Sequence, residues 1–204
     1  MKENVIEINS ANYDAAYAMA DEQTRKVLAV LCGRSDETTA TPSQPAPSLS
    51  DYTTIRSYED ACVALGESMD VEKLVAAGVP NHIIAQMKLE HICKALWGGE
   101  NKCQPTADGS KVWWYPVMAL WTPGEISNMS DDERRALLSA TANTGARAGF
   151  GYLTAPPRSS HSVAYGGFRL CLDTEEKAEY FGKQFVELWA EAYAYNFTVG
   201  GHLE

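Results

Sequence analysis

Residues Lys111 to Thr122 read KVWWYPVMALWT, and this density of Val, Trp and Tyr commits the stretch to extended chain. Pro116 has no amide proton to give a ladder, so it must lie at an edge, at a bulge or at a break between two strand segments. Alternation along a strand puts Trp113, Trp114, Tyr115 and Trp121 on both of its faces. At least one large ring therefore faces away from the main core and needs a cover: a helix, the N-terminal arm or a second subunit. These four residues are the candidate interface.

The segments on either side read as helices and further strands. Apolar positions Ala16, Tyr17, Ala20, Val27, Leu28 and Leu31 predict an amphipathic helix from Tyr13 to Leu31, stopped by Gly33. Residues 35–50 carry Pro42, Pro45 and Pro47 among Ser, Thr and Ala, a linker composition. The expected organisation is a helical arm over 1–34, a linker over 35–50 and one α+β domain over 51–204. In that domain Ser57 and Asp70 read as N-caps of short helices closed by Gly66 and Gly78. Pro80 opens a longer helix with Ile83, Ile84, Met87, Ile92, Cys93, Leu96 and Trp97 on its apolar side. Ser130-Asp131-Asp132-Glu133 is a capping box for a helix to about Ala140. Gly149–Thr154 and Ser162–Leu172 predict a strand hairpin, and Asp173 with Glu176 caps a final helix. Gly182 inside that helix costs about 1 kcal/mol relative to Ala, which predicts close approach of another backbone. The fold class is thus α+β: a helical N-terminal half, then a small, mostly antiparallel sheet with a long C-terminal helix packed on it.

Charge is distributed unevenly. From Arg134 to Leu172 there is no Asp, Glu or Lys, and the charged side chains are Arg134, Arg135, Arg147, Arg158 and Arg169, in a chain of net charge -10. Glycines let backbone approach a ligand, and Arg offers a planar fork to phosphate or carboxylate. Arg147, Arg158, His161 and Arg169 are accordingly the candidate anion-binding residues, with Phe150, Tyr152 and Tyr165 as candidate stacking rings. Strand alternation argues the other way, turning half of these aromatics inward, and the arginines can equally pair with the acidic remainder. The overall negative charge disfavours a phosphate backbone, so nucleic acid or a nucleotide is the less favoured partner.

Catalytic and metal motifs are missing from the pattern. His82 and His91 fall on opposite sides of their helix, there is no H-E-x-x-H, and no cysteine pair has C-x-x-C spacing. The Gly145–Gly151 run precedes a strand, so it is neither a Walker loop nor a dinucleotide fingerprint. The five cysteines read mostly as small buried apolar residues of a reducing compartment, although His161 with Cys171 or Cys103 is compatible with a small thiol enzyme. No cofactor, metal or catalytic residue is expected. No apolar run approaches bilayer length and the start Met1-Lys2-Glu3-Asn4 does not read as a signal peptide, so no membrane association and a cytoplasmic location are expected.

The segments Tyr58-Glu59-Asp60-Ala61-Cys62-Val63-Ala64-Leu65-Gly66, Ile92-Cys93-Lys94-Ala95-Leu96, Trp114-Tyr115-Pro116, Arg169-Leu170-Cys171-Leu172 and Ala178 to Phe185 come in an order that resembles a family of proteins carried by phages, prophages and mobile elements of gut anaerobes. The likeness spans most of Asp51 to Tyr195 and brings no catalytic residue with it. It implies a genomic setting, that of a virion component, a DNA-handling accessory or a factor acting on the host, with the cytoplasm of a bacterial host as the expected location. The expected function is a non-enzymatic binding or assembly protein that self-associates or meets a protein partner. The alternatives are a nucleotide- or single-strand-binding protein using residues 134–172, and a small Cys/His-dependent enzyme.

Overall fold

The computed structural model divides the chain into two compact units, Met1–Gln44 and Pro45–Glu204. It describes residues 10–21, 24–25, 28, 45–104, 106, 108–142, 144–159, 168–193 and 197–204. In the first unit, α1 spans Ser10–Met19 and stacks Tyr13 on Tyr17 one turn later, ring centroids 5.7 Å apart. The single helix expected from Tyr13 to Leu31 is interrupted. The chain bends at Ala20, and Asp21 Oδ1 accepts from the Thr24 amide at 2.8 Å, capping a fresh helical start at Thr24 and Arg25. Gly33, the expected stop, lies outside the described residues.

The second unit takes in Pro45–Ser50, the end of the stretch expected as linker. Ser48 bridges to Asp51, and Leu49 packs against the core. Helices follow where caps are written. α2 (Tyr58–Leu65) starts at Ser57, whose hydroxyl accepts from the Asp60 amide, and stops at Gly66 with φ of 69°. α3 (Val71–Ala76) is capped by Asp70. α4 (Asn81–Leu96) begins after Pro80 and buries Ile84, Ala85, Leu89, Ile92, Cys93, Ala95 and Leu96. Those positions recur every three or four residues, the spacing that keeps them on one side of a helix.

Pro116 does break the aromatic strand, into β1 (Val112–Trp114) and β2 (Val117–Trp121). Two short capped helices, α5 (Pro123–Ile126) and α6 (Asp131–Arg135), come next, each with a complete capping box. The helix expected to reach Ala140 ends at Arg135, and β3 (Leu138–Ala142) begins within three residues. The reason is burial on both sides: adjacent Leu137 and Leu138 are both buried, and extended chain sends neighbours to opposite faces where a helix does not. Leu138 joins the helix-covered core, while Leu137 lies over Gly149 and Gly151 of β4 (Arg147–Thr154). The main sheet has the antiparallel order β2-β4-β3-β6, with β6 (Phe197–His202) an addition that residue patterns did not announce.

The hairpin expected over Gly149–Leu172 is also replaced. β4 pairs with β2 and β3, whereas β5 (Pro157–Ser159) leaves the main sheet and pairs with β1. Phe168–Leu170 form a 3-10 turn, and 161–167 lie outside the described residues. The final helix is two, α7 (Glu175–Gln184) and α8 (Val186–Tyr193), broken at Phe185 with ψ of 29°. Both pack on β4, and α4 packs behind α8, with α2 behind α4. The architecture is α+β, helices layered on one face of an antiparallel sheet.

Gly182 is where α7 meets the strands. The neighbours that require a glycine are the rings of Tyr152 and Pro116, not another backbone as expected; a Cβ would overlap Tyr152 and approach Pro116 Cβ to 2.8 Å. Gly182→Ala should therefore destabilise by about 1–3 kcal/mol through overpacking, against a helix-propensity gain of about 1 kcal/mol. Urea unfolding of the variant measures this, and a raised midpoint would show that the contact yields freely.

Candidate functional site

The arginines of the acid-free segment are spread over the molecule. Arg134 pairs with Asp131, Arg135 with Asp132 at 3.4 Å and Arg169 with Glu90 at 3.5 Å. Arg134 and Arg147 share a groove of about 560 Å³ beside Ser127, Ser139 and Thr141, while Arg169 lines a different cleft. Arg158 stands opposite Trp113 in the β1–β5 pair. His161 and Tyr165 lie outside the described residues. Of the expected stacking rings, Phe150 is buried against Phe197, ring centroids 5.9 Å apart, and has no face left for a base. Tyr152 is half-buried on Gly182, with the Lys183 ammonium 5.5 Å from its ring centre.

The aromatic strand is divided between core and surface. Trp113 is buried, tilted against Trp97 at 5.5 Å, and its indole N–H donates to Gln104 O at 3.3 Å. Trp114 packs on the core and exchanges two backbone hydrogen bonds with Leu172, at 3.0 and 2.7 Å. Tyr115 and Trp121 are half-buried, and the Trp121 indole nitrogen is buried without an acceptor among the described residues. Trp113 is therefore an internal ring, and Trp114 is partly buried against the core. What faces outward here is the edge of β2, with Leu120 47% and Leu153 of the neighbouring β4 46% exposed.

A cleft of about 520 Å³ runs along the solvent side of α4. Glu90, His91 and Lys94 come from the helix, Asn101 and Cys103 from the loop after it, and Arg169 from the 3-10 turn. Lys94 bonds the Glu67 carboxylate and holds it below the ordinary glutamate range. His91 Nε2 lies 3.1 Å from Glu67 O, and its ring tilts against Tyr58 at 5.5 Å. Asn101 ties the floor together: its Nδ2 donates to Arg169 O at 2.9 Å and its Oδ1 accepts from the Cys103 amide at 2.9 Å. Both signs of charge thus border one opening.

Three thiols gather beneath that floor. Cys93 donates to Cys171 O at 3.5 Å, an oxygen that also accepts the Trp97 indole N–H at 2.7 Å. The neighbouring Cys103 and Cys171 thiols act on each other's titration, raising the Cys103 pKa and lowering that of Cys171. Complete burial raises Cys93 well above an ordinary thiol. Among the described residues no group of three His, Cys, Asp or Glu side chains is arranged to hold a metal ion, and no helix is long and apolar enough to cross a membrane. Residue spacing hid this cluster, since its members come from three distant segments.

Comparison of the chain with protein-family models, with curated proteins and with solved structures finds no match.

The Trp97 indole is the strongest tie between α4 and the Cys171 segment. Trp97→Phe keeps most of the ring's bulk and removes its donor, so it should lower stability by about 1–2 kcal/mol. It should also speed alkylation of Cys171 in the folded protein, both effects being read from urea titration and mass-resolved thiol labelling.

Proposed function

We propose that this protein is a non-enzymatic assembly protein that forms a two-fold dimer by pairing the outer edge of β2 with the same edge of a second copy. The observation that carries the reading is the edge itself. Val117–Trp121 (VMALW) ends the sheet on one side, contains no charge or proline, and exposes its own Leu120 beside exposed Leu153 of β4. Native edges are usually blunted by Lys, Pro or strong twist, and this one carries none of those residues. Its irregularity is confined to Val117/Met118, which leaves Met118–Trp121 in regular register.

Electrostatics select the same place. A chain of net charge -10 repels its copy, and from Gly109 to Gly124 the only charged residue is Lys111. Two copies meeting there bring the fewest acids together. Antiparallel pairing of identical strands is self-complementary, as a closed two-fold contact requires. In the setting the family resemblance implies, such a dimer is a building unit of a phage or mobile-element assembly.

A second reading, binding of a nucleotide or single strand, draws on the groove where Arg134 and Arg147 meet three hydroxyl side chains. Phosphate contacts weaken steeply with salt, so oligonucleotide anisotropy over a salt series separates it from the first.

Light scattering coupled to size exclusion should give twice the chain mass. Leu120→Lys and Leu153→Lys, both at exposed positions, should each weaken dimerisation at least about tenfold, which is about 1.4 kcal/mol, with the circular dichroism unchanged. A wild-type monomer at high concentration, or a dimer indifferent to both substitutions, refutes the proposal.

A further inference from the structure

We propose that the groove between the α5–α6 segment and the outer face of the main sheet binds a small phosphate monoester whose organic part is not aromatic, the phosphate resting on Arg147, Thr141 and Ser139. The site follows from strand register. Leu138 and Ala140 of β3 belong to the helix-covered core, so the residues alternating with them, Ser139 and Thr141, stand on the opposite face. Arg147 of β4 lies directly across from Thr141, which sets their Cβ atoms about 4.5–5.5 Å apart. One guanidinium and two hydroxyls are thereby gathered on a single patch of two neighbouring strands.

These donors are uncommitted. Among the described residues Arg147 has no ion pair, and neither the Ser139 nor the Thr141 hydroxyl has a hydrogen-bond partner. Ser127, also on the groove, differs in this respect, since its hydroxyl already donates to Gly124 O at 2.8 Å. Arg134 adds a second guanidinium. Its partner Asp131 has a side chain 68% exposed and does not line the groove. An exposed pair of that kind is worth little, so it leaves Arg134 able to turn to a stronger anion. In a chain of net charge -10, this groove is lined by two arginines and, among the described residues, by no Asp or Glu.

The donor set selects the ligand. A phosphate monoester carries a charge of about -1.5 to -2 at neutral pH and three terminal acceptor oxygens, enough to occupy both guanidinium forks and the two hydroxyls. A carboxylate offers two oxygens and one charge. A polynucleotide extends its charge beyond the groove, where the acidic remainder of the chain repels it. The organic part of the ligand meets Pro123, Ile126 and Leu203, and among the described residues no aromatic ring lines the walls, so a base finds nothing to stack on. The volume of about 560 Å³ is in the range of a small-molecule site. The proposal shares its groove with the nucleotide reading above and departs from it on the ligand.

The test is isothermal titration calorimetry on the full chain, with glycerol phosphate as the probe and acetate, AMP and a thymidine oligonucleotide as comparisons. One glycerol phosphate should bind per chain at millimolar concentration or below, more tightly than acetate and no less tightly than AMP. Arg147→Gln should weaken it at least about tenfold and Thr141→Val about threefold, with the circular dichroism unchanged. Both side chains are exposed, so neither substitution disturbs the core. Arg135→Gln, outside the groove, should leave the affinity as it was. Oligonucleotide binding without glycerol phosphate binding keeps the nucleotide reading and overturns this one, whereas glycerol phosphate binding with neither AMP nor the oligonucleotide bound supports this one against it. No heat with glycerol phosphate, a preference for AMP of about tenfold or more, or an affinity indifferent to Arg147→Gln also overturns the proposal.

Discussion

The buried side of α4 is the constraint on which the rest of the molecule depends. Leu89, Ile92, Cys93 and Ala95 have no exposed surface, and Leu96 has 1%. Full burial of each Leu or Ile side chain contributes roughly 1.5–3 kcal/mol, so this one helix face contributes several kcal/mol to the cohesion of the unit. α8 takes one flank of this face and α2 the other, and Trp189, itself held by its indole N–H to Phe181 O at 3.1 Å, closes the contact with the sheet-side core. The same helix turns Glu90, His91 and Lys94 outward, so the rotation that buries the leucines also sets the charged wall of the cleft. Cys93 lies at the seam between the two sides. That is why a thiol of the hydrophobic core touches the residues beneath a polar opening.

A second constraint is the covering of the sheet. α7 and α8 occupy one face at β4. On the other, Leu137 lies over Gly149 and Gly151 and Ile126 over Gly149, so closely that a Cβ at either glycine would have to push their methyl groups aside. With both faces of β4 engaged, the apolar surface that remains is at the sheet's ends. Those ends differ in character. β6 carries Gly200 and Gly201, a register irregularity against β3, and a terminus tied down by His202 Nδ1 at 2.9 Å from Arg135 O and by the Leu203 amide on Leu137 O. β2 has larger apolar residues and a regular run. The asymmetry between the two ends, more than the number of aromatic rings, singles out β2.

Legibility in the sequence followed the range of the interaction. Features decided within four residues were mostly readable: Ser57, Asp70 and Ser130 accept from the amide three residues on, and Gly66 and Gly78 take the left-handed backbone expected of helix stops. The cap of α7 is Thr174, one residue beyond the expected Asp173, and the capping box at Thr122 was not anticipated. The apolar side of α4 was readable in part: Ile84, Ile92, Cys93 and Leu96 are buried as expected, whereas Ile83 is 42% exposed, Met87 lines the cleft, and the fully buried Leu89 was not among the expected positions. Features decided by distant partners were not readable. Leu138–Ala142 is a strand because β4 and β6 lie beside it, and a capping box upstream could not reveal that. The arginine run looked like one site because it is continuous in sequence, yet Asp131, Asp132 and Glu90 take three of its members and the chain's turns separate the others. The thiol cluster is the converse case, contiguous in space and scattered in sequence.

β1 links the two regions of interest, and the link is covalent as well as packed. Its Trp113 and Trp114 hold the loop of Cys103 and the segment of Cys171, and the chain then passes through Pro116 directly into β2. Pro116 is itself clamped, its ring lying against Gly182 of α7. The register of β2 on β4 is set beyond that proline by pairing from Met118 to Trp121, whereas β1 pairs with β5 in a two-stranded sheet separate from the main one. The thiol cluster and the sheet edge thus occupy neighbouring stretches of chain on either side of a clamped residue.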